Sequence, residues 1–337
     1  MVHTPQVPTA VIGAGAWGTA MAALLAGNGQ PTRLWGRNAD YMAVVASTHT
    51  SPRYLPGIKL PASLVAGSDL AEVLADIKDL LLVTPSHAFR QTLEAVAPYL
   101  SDNSRLIWAS KGFEPGTGRL LHEVVENMFG QRFLTAVISG PTFALEVARG
   151  MPTAVTVASS DQAFAAEIAQ RLRNPHFRAY TSRDVVGVEI GGSVKNILAI
   201  AAGIADGLGF GANARAALIT RGLSEVMRLG EALGGHRETL MGLAGLGDLV
   251  LTCTDDQSRN RRFGLALGRG NDMAAARASI DQVVEGIEAA KEARRVARSL
   301  NIEMPIIEQV YQVLYHNRSP RDAVSQLLHR QQKAEGF

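Results

Sequence analysis

Hydrophobic positions in the first half of the chain follow two alternating patterns. Short apolar runs are separated by longer segments in which apolar residues recur at helical spacing. Such runs predict buried strands, and the periodic segments predict helices. Strands are predicted at residues 10–12, 32–35, 79–84, 105–109, 135–139, 154–158 and 177–180, and helices at 19–26, 86–99, 118–129 and 161–173. This alternation predicts an α/β domain with a mainly parallel, doubly wound sheet.

Beyond residue 180 the alternation stops and only helical patterns remain. Within the stretch at residues 187–230, Ile190, Val194, Ile197, Ala201 and Ile204 recur at helical spacing and predict one buried stripe. Further helices are predicted at 305–315 and at 320–329, the second with the serine at 319 as its N-cap. We therefore predict two domains, residues 1–182 and an all-α domain of residues 183–337.

Composition narrows the class of protein. The chain has 337 residues, enough for about two domains. Its 33 basic and 31 acidic residues leave a net charge of +2, so we expect no nucleic-acid partner. A single cysteine, Cys253, rules out a disulfide framework, and we expect it to be buried; no metal site is predicted. We found no apolar run of eighteen or more residues, so we expect no membrane span and a cytoplasmic protein.

A glycine-rich turn joins the first predicted strand to the first helix. Gly13, Gly15 and Gly18 stand in a GxGxxG pattern, with Ala16 and Trp17 between the last two glycines. In this strand–turn–helix context the glycines permit the turn, the approach of a pyrophosphate and close helix packing. The phosphates would lie at the helix N-terminus. The turn predicts a dinucleotide-binding, Rossmann-type domain.

The end of the second predicted strand bears on the choice of cofactor. An NAD-selective fold usually has an Asp or Glu here for the ribose hydroxyls, whereas this chain has Gly36, Arg37 and Asn38. Arg37 can pair with the 2′-phosphate of NADP, which favours NADPH over NADH. The alternatives are that Arg37 is an ordinary solvated arginine, or that Arg33, inside the strand, takes the role.

Lys195 lies one step away from the buried stripe of the long helical segment, with Asn196 beside it. Its face of the helix consists almost wholly of small residues: Val188, Gly191, Gly192, Ala199 and Ala202. A partly desolvated lysine has a lowered pKa and can exchange protons with a substrate. The alternative is that the small residues serve tight helix packing and that the ammonium group of Lys195 extends to water.

Further polar residues are candidates for the same chemistry. Lys111 follows a predicted strand, where a cation would face the cofactor crevice, although a loop lysine is often simply exposed to solvent. Asp248 and Thr252 are four residues apart and share a helix face. Asp248 either caps that helix or orients Lys195.

The segment SRNRR at residues 258–262 is a candidate anion-binding site. Ser258 can cap a helix, while Arg259 and Asn260 offer hydrogen-bond donors to a phosphate. The alternative is a solvated basic turn.

Six segments, in this order, resemble the bacterial NAD(P)-dependent glycerol-3-phosphate dehydrogenase family. They are GAGAWG at 13–18, SKGF at 110–113, SGPTFALEVARG at 139–150, GGSVKNILAIAAGIADGLGFGANARAALITRG at 191–222, GLAGLGDLVLTC at 242–253 and SRNRRFG at 258–264. The likeness covers nearly the whole chain. It implies an oxidoreductase that interconverts dihydroxyacetone phosphate and sn-glycerol 3-phosphate with NAD(P)H, supplying glycerol 3-phosphate for phospholipid synthesis.

The resemblance also implies roles for individual residues. Lys195 matches the family's proton donor and acceptor, with Lys111, Asn196, Asp248 and Thr252 beside it. The substrate positions are Lys111, Gly140, Thr142, Lys195, Asp248, Ser258, Arg259 and Asn260. The cofactor positions are Gly13, Trp17, Arg37, Lys111, Ala144, Arg259, Val283 and Glu285. Ala16 departs from relatives that have serine there, which removes one possible hydroxyl contact to the cofactor.

Two other functions remain open at this point. A related dehydrogenase of phosphorylated hydroxyacids would share the two-domain plan. A non-catalytic sensor of dinucleotides could keep the glycine turn, but it would have no reason to hold Lys195, Asp248 and Arg259 together. We expect a homodimer that acts on a small phosphorylated substrate.

Overall fold

The computed structural model describes residues 6–280 and 282–329, and these divide into two compact units. Unit 1 consists of the chain up to Lys111 together with Leu121–Val185. Unit 2 consists of Gly112–Leu120 and the chain from Val186 onwards. The chain therefore enters unit 2 twice, first for a short segment and then for its whole C-terminal part.

Unit 1 is built on an eight-stranded sheet. In chain order the strands of the protein are β1 (Thr9–Ile12), β2 (Thr32–Trp35), β3 (Thr50–Ser51), β4 (Leu55–Lys59), β5 (Val65–Gly67), β6 (Asp79–Leu82), β7 (Arg105–Trp108), β8 (Leu134–Ser139), β9 (Thr153–Ala158) and β10 (Phe177–Ser182). The sheet order is β10-β9-β8-β7-β6-β1-β2-β5, while β3 and β4 form a separate antiparallel pair. Every neighbouring pair in the large sheet is parallel except β8 and β9. The predicted mainly parallel, doubly wound sheet is confirmed.

Seven α-helices connect the strands of unit 1. They are α1 (Ala16–Gly27), α2 (Ala39–Thr48), α3 (Leu70–Leu74), α4 (Phe89–Val96), α5 (Leu121–Phe129), α6 (Ala144–Ala148) and α7 (Gln162–Leu172). The carboxylate of Asp161 caps α7 by accepting from the N–H of Phe164. Helix α5 begins three residues later than predicted, because Gly118 has a left-handed backbone with φ +75° that a helix cannot include.

Four charged side chains form a network at the amino ends of β6 and β7. The guanidinium of Arg105 donates to Asp79 at 2.5 Å and to Glu167 at 2.7 Å, and Arg171 also pairs with Asp79. Asp79, Arg105 and Arg171 are buried. The hydrogen bond from Arg105 holds the pKa of Glu167 below its ordinary value. Two cations are thus balanced by two carboxylates, which buried charges require.

The regular secondary structure in the described residues of unit 2 is helical. After α8 (Val185–Gly207) come α9 (Gly211–Ala232), α10 (Arg237–Leu240), α11 (Asp248–Thr254), α12 (Arg259–Gly268), α13 (Met273–Ala278), α14 (Glu285–Ser299), α15 (Pro305–His316) and α16 (Pro320–Leu328). A π-helical turn, Leu243–Gly247, leads directly into α11. The predicted N-caps are confirmed for α12 and α16, because the side chains of Ser258 and Ser319 each accept from an N–H group in the first turn.

Helix α8 forms the centre of the unit 2 core. The predicted stripe is buried, with Ile190, Val194 and Ile197 at 0% exposure, and burial extends to most of the remaining helix surface. The helix is long and apolar enough to cross a membrane by length and composition alone. Within the structure, 83% of its most apolar window is buried inside the protein, as in a core helix.

The segment Gly112–Leu120 packs into unit 2 through side chains and main chain. Phe113 and Leu120 are buried in the hydrophobic core of that unit. The N–H of Gly112 donates to the Ser193 hydroxyl at 3.1 Å, and the N–H of Gly116 donates to Glu292 at 3.0 Å. No periodic pattern in the sequence marks this excursion.

Candidate functional site

The glycine turn after β1 has a separate physical reason for each glycine. Gly13 has φ +120°, and a Cβ there would lie 2.7 Å from the carbonyl oxygen of Val83. Gly18 packs directly on the carbonyl of Gly13, so it has no room for a side chain either. At Gly15, by contrast, a Cβ would meet nothing within 4 Å. Packing therefore does not require a glycine at position 15, and the open space beside it fits a bound group.

The open space lies at the N-terminus of α1. Gly15 is the N-cap of this helix and no side chain caps it, so the N–H groups of Ala16 and Trp17 in the first turn remain for an anion. The indole Nε1 of Trp17 is buried and has no hydrogen-bond partner among the described residues. The turn thus fits the pyrophosphate of a dinucleotide.

Arg33, inside β2, and Arg37, just beyond its carboxyl end, have different surroundings. Arg33 donates to the carbonyl oxygens of Glu72, Val73 and Ala75, and so it holds the C-terminal end of α3. Arg37 is exposed, directly after the carboxyl end of β2. Arg33 therefore has a structural task, and Arg37 is the better placed cation for a ligand at this edge of the sheet.

Loops after β7 and β8 bring together three predicted substrate residues. Lys111 Nζ lies 3.3 Å from the carbonyl oxygen of Gly140, and the Thr142 hydroxyl donates to the same oxygen at 3.1 Å. The two strands are parallel neighbours, so their carboxyl ends meet at one edge. A Cβ on Gly140 would lie 3.0 Å from the backbone of Val155, which explains the glycine. Ala144 begins helix α6 just beyond this edge.

A buried ion pair joins Lys195 on α8 to Asp248 on α11. The Nζ–Oδ1 distance is 2.5 Å, the Lys195 side chain is 11% exposed and the Asp248 side chain 1% exposed. Asp248 does not cap α11, because Gly247 occupies the N-cap position. The hydroxyl of Thr252 donates to the main-chain oxygen of Asp248 at 2.6 Å and lies 3.5 Å from its carboxylate. Of the two predicted roles for Asp248, the geometry supports the orientation of Lys195.

The small-residue face of α8 accommodates a neighbouring backbone. A Cβ on Gly191 would lie 2.8 Å from the carbonyl carbon of Ala244 and 2.9 Å from Cα of Gly245. The predicted tight packing is therefore present at Gly191. The Lys195 ammonium, however, does not simply extend to water, because it is paired with a buried carboxylate.

The N-terminus of α14 contacts both α8 and α12. The amide of Asn196 donates to Glu285 at 3.3 Å, and the N–H of Gly286 donates to Asn260 Oδ1 at 2.9 Å. Val283, two residues before Glu285, is 51% exposed. Two polar residues that are 89 positions apart in the sequence, Asn196 and Glu285, are thereby brought together in unit 2.

Residues 258–262 do not form a uniformly solvated basic turn. Ser258 caps α12 by accepting from the N–H of Arg261 at 3.2 Å. The Arg261 side chain is buried and pairs with Asp206 at 2.6 Å. Arg259, in the first turn, donates to Gln282 at 2.8 Å, a neutral partner that leaves its charge uncompensated in this pair. Arg259 is thus better suited than Arg261 to bind an anionic ligand.

Two protein-family models match this chain, one in each half. The model described as NAD-dependent glycerol-3-phosphate dehydrogenase N-terminus matches residues 8–165, and the model of the C-terminus of the same enzyme matches residues 184–325. The chain belongs to the NAD-dependent glycerol-3-phosphate dehydrogenase family. The resemblance seen in the six sequence segments is confirmed.

Curated and solved members of the family are similar over nearly the full length. Glycerol-3-phosphate dehydrogenase [NAD(P)+] of Nitrosococcus oceani is 57% identical over 327 residues, covering 97% of this chain and 95% of the relative. The enzyme of that name from Thioalkalivibrio sulfidiphilus is 56% identical, covering 98% and 99%. The crystal structure of glycerol-3-phosphate dehydrogenase from Coxiella burnetii has a TM-score of 0.93 at 48% identity, covering 96% of this chain and 99% of that one.

Two features of the family's site escaped the sequence analysis. Gln282 holds Arg259, and Ser193 holds the main chain next to Lys111 through the N–H of Gly112. Neither residue stands out in the sequence, because serine and glutamine are common in loops and helices. Their proximity to charged site residues becomes visible only after folding.

Cys253 lies near the Lys195–Asp248 pair and is inaccessible to solvent. It is fully buried, as predicted, and burial raises the pKa of its thiol to about 12. The nearby charge of Lys195 opposes this shift without cancelling it. Across residues 6–280 and 282–329, no group of three or more His, Cys, Asp or Glu side chains could hold a metal ion.

Proposed function

We propose that the protein interconverts dihydroxyacetone phosphate and sn-glycerol 3-phosphate with NAD(P)H. The observation that carries this proposal is the Lys195–Asp248 pair, in which a largely buried ammonium group is oriented by a carboxylate at 2.5 Å. The names of the relatives support the substrate, since they are glycerol-3-phosphate dehydrogenases.

In the reductive direction the bound dinucleotide would supply a hydride to C2 of the ketone. Negative charge then develops on the carbonyl oxygen. The Lys195 ammonium would stabilise this oxygen and donate its proton to it, while the carboxylate of Asp248 orients Nζ. Thr252 holds the main chain of Asp248. A well-placed general acid contributes roughly a hundredfold to ten-thousandfold in rate.

The substrate phosphate would be bound by the first turn of α12. Arg259 offers a planar guanidinium, and Asn260 uses Oδ1 to accept from Gly286, which leaves its NH₂ group as a donor. The hydroxyl hydrogen of Ser258 is also available, because the capping bond uses Ser258 as an acceptor. We assign Lys111, Gly140 and Thr142 of unit 1 to the substrate as well.

The dinucleotide would be bound by the glycine turn of unit 1. Gly13, Gly15 and Gly18 shape the turn and α1 offers its first N–H groups to the pyrophosphate. We further propose that Arg37 pairs with the 2′-phosphate and makes NADPH the preferred cofactor. The remaining proposed cofactor contacts are Ala16, Trp17, Lys111, Ala144, Arg259, Val283 and Glu285.

The setting of the reaction is also proposed. We propose that the protein is a cytoplasmic homodimer. The glycerol 3-phosphate that it forms would be used for phospholipid synthesis. Sedimentation of the purified protein would determine the oligomeric state. A sensor of dinucleotides would bind NADPH without oxidising it.

The decisive experiment measures NADPH and NADH oxidation by the purified protein with dihydroxyacetone phosphate, and compares Lys195→Ala with the parent. We expect kcat and kcat/KM to fall together by at least about a hundredfold, with the Kd for NADPH nearly unchanged. Lys291→Ala, which removes an exposed lysine of α14, is the matched control. Near-normal turnover in Lys195→Ala would refute the assignment.

A further inference from the structure

Helices α8 and α12 are in backbone contact at two successive turns. A Cβ on Gly264 would lie 2.8 Å from the carbonyl carbon of Ile200, and a Cβ on Gly268 would lie 3.1 Å from that of Ile204. The two contacts are four residues apart on both helices, about one turn each. Backbone therefore rests on backbone, with no side chain between the helices at these points.

Glycines of α8 also lie directly against the backbone of α12. A Cβ on Gly203 of α8 would lie 2.7 Å from the main-chain nitrogen of Leu265, and a Cβ on Gly207 would lie 2.8 Å from Cα of Gly268. Glycines on both helices interlock. The packing resembles that of ridges into grooves, but main-chain atoms make the contacts in place of side chains. Sliding one helix along the other would drive side chains into carbonyl groups.

The same alignment of α12 along α8 extends by one turn to the residues of the candidate site. One turn before Gly264 lies Asn260, and one turn before Ile200 lies Asn196. Gly286 is in contact with both levels, since its Cβ would lie 2.7 Å from the carbonyl oxygen of Asn196 and 2.9 Å from Oδ1 of Asn260. The interlock thus sets the first turn of α12, including Arg259, at the level of Lys195–Asn196 on α8.

A buried ion pair fixes the same register by charge. Arg261 of α12 pairs with Asp206, near the C-terminal end of α8, at 2.6 Å, and the two side chains are 10% and 9% exposed. Asp206 also pairs with Arg215 of α9 at 2.9 Å. Movement of α12 along α8 would separate buried opposite charges, which is strongly unfavourable.

We propose that Gly264, Asp206 and Arg261 are positioning residues that fix the distance between the phosphate-binding Arg259 and the proton donor Lys195, and thereby select phosphorylated ketones of one length. The inference rests on the proposed function. In dihydroxyacetone phosphate only C1 and the ester oxygen lie between C2 and phosphorus. A slip of one helical turn would move Arg259 by about 5.4 Å, farther than so short a substrate can follow.

The test compares Gly264→Ala with the parent on dihydroxyacetone phosphate and on unphosphorylated dihydroxyacetone. An added methyl group must displace α12, so we expect kcat/KM for the phosphorylated substrate to fall about tenfold or more. Activity on dihydroxyacetone, measured at saturating NADPH, should change less than twofold, because this substrate has no phosphate for Arg259 to bind. Gly27→Ala is the matched control, since a Cβ there would meet nothing within 4 Å.

Asp206→Asn is the second variant, in case Gly264→Ala does not fold. It keeps the shape of the side chain and removes the charge that holds Arg261, and we expect a selective loss of about threefold to tenfold for the phosphorylated substrate. Glu167→Gln, at the ion pair of unit 1, is its control. Equal losses on both substrates, or no loss at all, would overturn the inference.

Failure of the proposed function looks different. In that case the parent protein would not reduce dihydroxyacetone phosphate, or Arg259→Ala would harm both substrates equally. A selective effect of Arg259→Ala combined with a non-selective effect of Gly264→Ala would reject the positioning role alone.

Discussion

Replacing Asp248 by asparagine tests how much the buried carboxylate contributes to the action of Lys195. The substitution preserves size and removes the charge from a side chain that is 1% exposed and 2.5 Å from Nζ. A hydrogen bond between charged groups is worth about 1.5–3 kcal/mol. The amide oxygen of asparagine can still accept from Nζ, so only part of this free energy is lost; at about 1.4 kcal/mol per tenfold change in rate, we expect kcat to fall about tenfold, and at most about a hundredfold.

Stability should fall together with activity. Lys195 is only 11% exposed, so in Asp248→Asn its ammonium group loses the charge that balances it inside the protein. Breaking a buried pair from one side costs about 3–5 kcal/mol, and the amide oxygen of asparagine offsets part of this by accepting from Nζ. We therefore expect a lower Tm in thermal unfolding followed by circular dichroism.

The assay measures kcat with saturating dihydroxyacetone phosphate and NADPH, and the Kd for NADPH by fluorescence. Glu167→Gln, another carboxylate-to-amide change at an ion pair, is the control and should retain full kcat because it lies at the amino ends of the strands in unit 1. If folded Asp248→Asn keeps kcat within twofold of the parent, Asp248 does not orient the proton donor.

The other predictions concern the two arginines proposed to bind ligands and the partly buried carboxylate of Glu167. Arg37→Ala should weaken NADPH far more than NADH, measured as the two Kd values; equal losses would show that Arg37 does not bind the 2′-phosphate. Arg259→Ala should raise KM for dihydroxyacetone phosphate about ten- to a hundredfold and leave slow dihydroxyacetone reduction unchanged. Glu167 has a lowered pKa in the folded state, so its stabilising effect is present above its ordinary value of 4.5 and is lost as pH falls below it. Urea unfolding should therefore show a shallower decline in stability below that pH in Glu167→Gln, and an unchanged slope would contradict this.

Elements with a strong local pattern could be predicted from the sequence. The strand Thr32–Trp35 was predicted residue for residue, and the buried stripe of α8 followed from helical spacing. Helices α3 and α6 were missed because each has five residues, too few for a periodic pattern. The antiparallel β8–β9 pair was missed because strand direction depends on the connection between strands rather than on their composition.

The candidate site shows the same limit. A pattern could suggest that Lys195 and Asp248 matter, but it left two roles open for Asp248. The choice depended on the π-helical turn before α11, which places Gly247 at the N-cap, while the Asp248 carboxylate pairs with Lys195. The Arg261–Asp206 pair spans 55 positions and has no local signal, since buried and solvated arginines look alike in a sequence.

The excursion of Gly112–Leu120 into unit 2 has a consequence for anyone who wishes to express either half alone. A fragment ending at Val185 would carry Phe113 and Leu120 without the core that buries them, and would present both aromatic and aliphatic surface to solvent. A fragment starting at Val186 would in turn lack two side chains from its interior and the main-chain donors of Gly112 and Gly116. Each fragment therefore has an incomplete core, and we expect that dividing the gene at one point does not yield two stably folded domains.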